Sequence, residues 1–177
     1  DPACGSGSFL LGAYQYLLDY HKDYYNKLDN TRNKLPLTPS GALTTNEKKK
    51  ILLNNVYGVD IDANAVEVTK LSLLLKCLEG ETNATIQQEI TFEQERVLPT
   101  LDNNIKCGNS LIDTDYYDGQ LALGTYDKKV KPFNWQSAFP EVFKQGGFDA
   151  VIGNPPYVLL EGEFRNDKQI SYFKTKY

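Results

Sequence analysis

The sequence predicts an α/β fold in which a parallel sheet carries helices on both faces and polar loops at the carboxyl ends of its strands. Three observations carry this. Asp1-Pro2-Ala3-Cys4-Gly5-Ser6-Gly7-Ser8-Phe9-Leu10 reads as a tight glycine turn with an acid at its mouth and an apolar run that begins a helix. Val56-Tyr57-Gly58-Val59 is a short strand closed by a carboxylate, Asp60. Phe148 to Ile152 reads as a buried strand, which the consecutive Pro155 and Pro156 forbid from continuing.

The remaining elements follow from periodicity and punctuation. From Ser8 to Leu28 the positions Phe9, Leu10, Ala13, Tyr14, Leu17, Leu18, His21, Tyr24, Tyr25 and Leu28 recur at three- and four-residue steps, which predicts an amphipathic helix. Its tyrosines suit a base-stacking platform or a buried stripe, and the spacing favours the stripe. His21 lies in the same pattern and reads as a packed or surface residue before a catalyst. Pro36, Pro39 and Gly41 make 29–45 a loop. Thr45 is the expected cap of a short helix to Leu53, whose Lys48, Lys49 and Lys50 read as a solvated face before a phosphate contact. Asp62 caps a helix from Ala63 to Leu78, closed by Gly80, with Val66, Leu71, Leu74, Leu75 and Leu78 as its core stripe.

Residues 81–95 are polar and offer only a strand near Ile90 to Phe92. Asn104 to Cys107 is a further short strand, followed by Gly108-Asn109-Ser110-Leu111. The stretch 112–147 reads as an inserted loop or hairpin bearing Asp113, Asp115 and Asp118, then a short helix docking Trp135, Phe139 and Phe143. Those acids lack calcium-loop spacing, so a solvated loop is expected and no metal. Beyond Tyr157, basic residues (Arg165, Lys168, Lys174, Lys176) interleave with Phe164, Tyr172, Phe173 and Tyr177, as in a helix or a segment near substrate entry.

Composition bounds the function. A chain of 177 residues suits one domain with its own core. Nineteen basic against 23 acidic residues, a net charge of -4, argue against this chain gripping a duplex by itself, because such affinity comes largely from Lys and Arg on phosphates. Three widely spaced cysteines and a single histidine exclude a recognisable zinc site or disulfide framework and suit a reducing, prokaryotic cytoplasm. No apolar run approaches the ~20 residues of a membrane helix and no signal pattern opens the chain, so no membrane partner is expected.

The opening loop makes chemical sense beside Asn154-Pro155-Pro156-Tyr157. Together the two stretches resemble the S-adenosyl-L-methionine-dependent amino-methyltransferases of DNA, the N6-adenine group in particular, over Asp1 to about Tyr157. The loop is the specific signal; the elbow also occurs in enzymes that methylate protein glutamine or RNA guanine. The resemblance implies a Rossmann-like class I methyltransferase sheet lacking its first strand and later strands. It makes 1–177 a partial catalytic domain: cofactor loop 1–10, ribose-acid strand end 56–62, adenine-contact loop 105–111, insertion or crossover 112–147, catalytic strand and elbow 148–157. The implied cofactor is S-adenosyl-L-methionine, with contacts from Asp1, Pro2, Ala3, Cys4, Gly5, Gly7, Phe9, Asp60, Ile61, Asn109 and Ser110. The implied catalytic residues are Asn154, Pro155, Pro156 and Tyr157, and the implied partner is DNA.

The residue chemistry suits these roles. Gly5 and Gly7 let backbone N–H groups approach the cofactor, with Asp1 near its amino group. The dinucleotide pattern G-x-G-x-x-G fails here because Leu10 stands at the third glycine. An acid after a strand accepts hydrogen bonds from ribose hydroxyls, which suits Asp60, and Ile61 can lie against adenine. In the family a polar side chain, commonly Asp, bonds the adenine amino group where this chain has Asn109, whose amide oxygen accepts the same bond. The acceptor is an aryl amine with a delocalised lone pair, so the Asn154 oxygen and the Pro155 carbonyl would draw its N–H groups toward tetrahedral geometry. Tyr157 would stack on a flipped-out base, worth ~1–3 kcal/mol.

Motif order places the target-recognition part beyond Tyr177. That order resembles the type IIG (Eco57I-like) fused restriction-modification enzymes, type I modification subunits or phage-defence methyltransferases. The chain is therefore expected to be a piece of a longer polypeptide that by itself binds cofactor weakly and leaves DNA unmethylated. Protein-glutamine or RNA-guanine methylation, N4-cytosine methylation and a non-catalytic remnant module are the competing readings.

Overall fold

The computed structural model describes residues 1–28, 36–81, 98–118, 130–154 and 167–177. Two short parallel strands set its frame. β1 (Gly58–Asp60) pairs with β2 (Ile105–Cys107) in the register Gly58 to Ile105, Val59 to Lys106 and Asp60 to Cys107. On the other side of β1, the Asp1 amine donates to the Tyr57 carbonyl at 2.9 Å, and the Asp1 carbonyl accepts from Val59 N at 2.9 Å. Those are the two bonds a parallel neighbour of Gly58 makes, so the lateral order is Asp1, β1, β2.

Three helices build one layer. α1 (Ser8–Lys27) starts at Gly7, whose φ of 89° is left-handed and whose position has no side-chain cap. α2 (Thr45–Asn55) is capped by Thr44, which accepts from Glu47 N at 3.4 Å. Thr45, expected as the cap, is instead the first helical residue and is buried, because Thr44 is the last extended position. α3 (Ala63–Cys77) is capped by Asp62, as its sequence predicts, through Asn64 N at 2.9 Å.

The buried stripe of α3 is Val66, Thr69, Leu73 and Cys77, while Leu71 and Leu75 are 58% and 60% exposed. This corrects the predicted stripe. A run of consecutive leucines leaves the helix's rotation open, and the Thr69 hydroxyl, donating to the Gly5 carbonyl at 2.8 Å, fixes it. On α1 the predicted stripe narrows to Leu10, Tyr14 and Leu18; Tyr24 is half exposed, and His21 lies against the rings of Tyr20 and Tyr25. Lys48, expected to be solvated, is largely covered and bonds the Glu79 carbonyl and the Glu81 carboxylate, both at 2.9 Å.

The two faces of the sheet carry different layers, because successive strand residues point to opposite sides. Gly58 and Ile105 face the cluster of α1, α2 and α3, with Leu10, Tyr14, Leu52, Val66 and Leu73. Val59 faces a smaller aromatic cluster with Phe133 and Phe139, against which Tyr57, Trp135 and Phe148 pack. α4 (Trp135–Ala138) and α5 (Pro140–Lys144) form this second layer. The single helix expected here is split, since Pro140 has no N–H to continue the ladder and Phe139 before it leaves helical geometry at φ -128°, ψ 58°.

A 3-10 turn (Thr114–Tyr117) and α6 (Asp167–Lys176) complete the described elements. Asp113 and Asp115 bond within the protein: Asp113 accepts from Asn134 Nδ2 at 3.0 Å, and Asp115 accepts from the Tyr172 hydroxyl at 2.5 Å and pairs with Lys176. No described helix is long and apolar enough to cross a membrane.

The expected buried strand from Phe148 to Ile152 is not formed: these residues make no ladder, and Val151 is 71% exposed. A buried parallel strand needs neighbours, and among the described residues the near side of β1 is taken by backbone bonds from Asp1 and Cys4. The described sheet thus has two strands. The possible strand near Ile90 to Phe92, and Pro155, Pro156 and Tyr157 of the elbow, lie outside the described residues.

Candidate cofactor and acceptor site

The opening loop is stitched onto β1. Cys4 N donates to the Val59 carbonyl at 3.0 Å, and Gly7 N returns to the Cys4 carbonyl at 2.8 Å, closing the turn that leads into α1. This close approach depends on missing side chains. A methyl group on Gly58 would lie 2.7 Å from Leu10 Cδ1 and 3.2 Å from Cys4 Sγ; one on Gly7 would lie 2.9 Å from Thr69 Cγ2. Gly5, in contrast, has φ 52° and nothing within 4 Å of where a side chain would start, but its N–H and carbonyl are bonded to Asp60 and Thr69. With Gly7 N bonded to the Cys4 carbonyl, the two glycine N–H groups expected to approach a cofactor are both engaged within the protein.

Asp60 joins loop to strand. Its Oδ2 accepts from Gly5 N at 2.7 Å and its Oδ1 from Asp62 N at 2.9 Å. Each carboxylate oxygen therefore keeps acceptor capacity for hydroxyls. Burial, with the Asp60 carboxylate adding to it, pushes the Cys4 thiol up from its ordinary value, so Cys4 is a neutral packing residue. Asp1 Oδ1 accepts from Ala3 N at 2.9 Å, whereas Asp1 Oδ2 is buried with no hydrogen-bond partner among the described residues. An unpartnered buried carboxylate oxygen suits a cationic ligand group.

The loop after β2 arrives at the same strand end. Gly108 N donates to the Asp60 carbonyl at 2.8 Å, which places Asn109 and Ser110 beyond β2 at the carboxyl edge. Asn109 Oδ1 accepts from Leu111 N at 3.1 Å, a local turn that leaves one of the amide oxygen's two lone pairs. The Ser110 carbonyl accepts from Trp135 Nε1 at 3.0 Å, which engages its backbone in the aromatic layer. Ile61 is 44% exposed and Phe9 51% exposed, so both present apolar surface.

Asn154 is exposed. The preceding residue brings it to the loop, since a methyl group on Gly153 would sit 2.5 Å from Asp1 Oδ1 and 3.5 Å from Pro2 Cδ. Phe148 holds the approach, its ring 5.5 Å from that of Tyr57 and 5.7 Å from that of Phe139. The structure thus gathers Asp1, Pro2, Ala3, Cys4, Gly5, Asp60 and Gly153 at one sheet edge, with Asn109 one strand further along.

Sequence reasoning missed Gly58, Thr69 and Gly153. A glycine inside a β-branched strand signals a close backbone approach, so Gly58 was detectable. Thr69, the buried polar residue on a leucine-rich helix, was a weaker signal. Gly153 had none, because its role is a contact across the chain.

The description of the Eco57I restriction-modification methylase family matches residues 54–177. The type II restriction enzyme and methyltransferase RM.Eco57I of Escherichia coli is 36% identical over 178 residues, covering 100% of this chain and 16% of that protein. The putative type II restriction enzyme and methyltransferase RM.MjaORFECS2P of Methanocaldococcus jannaschii is 40% identical over 112 residues, 63% of this chain and 8% of that protein. The adenine-specific methyltransferase PglX of Streptomyces coelicolor is 25% identical over 169 residues, 94% of this chain and 12% of that protein. The chain therefore spans a small part of each relative, and no solved structure matches it. With most of its length matched by the family and all of it aligned to a relative at 36% identity, this chain belongs to the Eco57I restriction-modification methylase family.

Proposed function

We propose that this chain is the cofactor-binding and acceptor-holding part of a Rossmann-like, S-adenosyl-L-methionine-dependent DNA methyltransferase that methylates the N6 amine of adenine within a larger restriction-modification or phage-defence enzyme. The observation that carries this reading is the meeting of Gly153 with Asp1, because it sets the residue that would hold the amine beside the loop that would hold the donor.

In this reading Asp1 Oδ2 receives the cofactor's amino group, the empty space beside the Gly5 Cα takes its methionine end, and Asp60 accepts the ribose hydroxyls while staying anchored by Gly5 N and Asp62 N. Ile61 lies against the adenine face and Asn109 takes its amino edge. When bound, S-adenosyl-L-methionine supplies an already electrophilic methyl group, so the protein's task is alignment more than proton abstraction. Asn154 accepts one N–H of the target amine and the Pro155 carbonyl the other, while Tyr157 stacks on the flipped base. Adenine in DNA is favoured over a protein or RNA acceptor by the Pro2-Ala3-Cys4 run of the loop and by the names of the relatives.

The test is methylation of duplex DNA by the whole protein and its Asn154→Ala variant. Wild type should place methyl groups on adenine N6, and the variant should lose about 100-fold or more in kcat while still binding cofactor. Incorporation only into a protein or RNA acceptor would transfer the site to the competing chemistry. Failure of the whole protein to bind S-adenosyl-L-methionine would leave a non-catalytic module.

A further inference from the structure

Lys131 is the one non-glycine residue with positive φ, 45°, among the described residues. Side chains rarely adopt this conformation, and such outliers persist where the surrounding bonds determine them. Here two bonds leave one residue in different directions. The Lys131 carbonyl accepts from Asn109 N at 2.7 Å, and Lys131 Nζ donates to the Ile61 carbonyl at 2.8 Å, 3.6 Å from Cys107 Sγ. Ile61 follows β1 and Asn109 follows β2, so a residue 70 positions beyond Ile61 ties the ends of two strands together.

The neighbouring residues extend the tie. Pro132 forms a parallel bridge with Asn109, and Phe133 N donates to the Ile112 carbonyl at 2.7 Å. The Phe133 ring fills the space beside Gly108, where a methyl group would lie 2.5 Å from its Cδ2. Residues 131–133 therefore run as a strap under the loop expected to meet adenine. A glycine would take the left-handed turn at lower cost, so the turn alone gives no reason for lysine. The bond from its ammonium to Ile61 does.

We propose that Lys131 is a positioning residue for the adenosyl end of the cofactor, fixing the distance between the Ile61 wall and the Asn109 edge without touching the ligand. The inference rests on the proposed cofactor site. It concerns purine binding, which is separate from the methionine end at Asp1 and from the acceptor at Asn154.

Two variants of the whole protein isolate the side chain: Lys131→Gly keeps the turn and removes the ammonium, and Lys131→Arg keeps a donor. Calorimetry with S-adenosyl-L-methionine, S-adenosylhomocysteine and methylthioadenosine, which shares only the adenosyl end, reads the effect. Lys131→Gly should weaken all three equally, by about three- to tenfold. It should raise KM for the cofactor and leave kcat at saturation within about twofold, with Lys131→Arg restoring most of the affinity. A lysine that only stabilised the fold would lower Tm and leave this pattern absent. Wild-type binding of the three ligands matched by Lys131→Gly would overturn the strap and leave the cofactor site standing; no binding by wild type would overturn both.

Discussion

The opening loop and the segment before the proline pair meet at Asp1 and Gly153, yet they are built in opposite ways. Cys4 is 5% exposed and Thr69 fully buried, and the loop is bonded by backbone to Val59 and through Asp60 and Thr69 to the next strand end and helix. Val151 is 71% exposed, and its segment makes no ladder, leaning on the sheet through Phe148. The proposed cofactor side is thus fixed by a set of hydrogen bonds from Asp1, Ala3, Cys4, Gly5 and Gly7, the proposed acceptor side by one ring in an aromatic cluster. Substitutions in the first region should change folding and cofactor affinity together; those in the second should change turnover alone.

The largest test of that contrast is Asp60→Ala, which removes the bonds to Gly5 N and Asp62 N along with the proposed ribose acceptor. We expect cofactor affinity of the whole protein to fall about 10- to 100-fold by calorimetry, as for hydrogen bonds to a charged group. An Asn154→Ala variant losing as much affinity would erase the distinction between the regions. Gly58→Val comes next: the added methyls enter the space of Leu10 and Cys4, and overpacking of this kind should cost about 1–3 kcal/mol in urea denaturation. Ile152→Ala on the acceptor side, already 38% exposed, should fall well short of that.

Thr69→Val, close to isosteric, should cost about 1 kcal/mol by leaving the Gly5 carbonyl without its donor. Its effect on cofactor affinity should exceed its effect on kcat. The smallest effect lies away from both regions and serves as a control. The Lys176 ammonium and the Tyr172 hydroxyl hold the Asp115 carboxyl below the usual carboxylate range, and the Asn134 amide does the same for Asp113. Folded pKa values below the unfolded ones stabilise the docking of α6 above the ordinary carboxylate value, and this is lost as pH falls through the lowered values. The Tyr172 ring resonances should therefore be constant from neutral pH down to that range and shift below it, with the shift reduced in Asp115→Asn.

Much of the opening-loop side was legible because its signals are local. The glycine turn, the strand ending at Asp60, the Asp62 cap and the parallel partner at Ile105 to Cys107 each follow from a few adjacent residues. The phase of α3 was not, because Leu71, Leu73, Leu74 and Leu75 fit more than one rotation and the deciding bond runs from Thr69 to Gly5. The apolar run from Phe148 to Ile152 misled for a related reason: hydrophobicity marks a segment able to enter a sheet, while entry requires an adjacent strand edge.

From the sequence alone came the residue types of each loop, their order along the chain and the family they resemble, since backbone freedom, charge and capping belong to short stretches. Which residues meet across the chain was decided by the tertiary structure: Gly153 against Asp1, Thr69 under Gly5, Lys131 across Ile61 and Asn109. Those contacts join positions tens of residues apart, and their geometry is set by how the layers pack on β1 and β2, which no local pattern encodes.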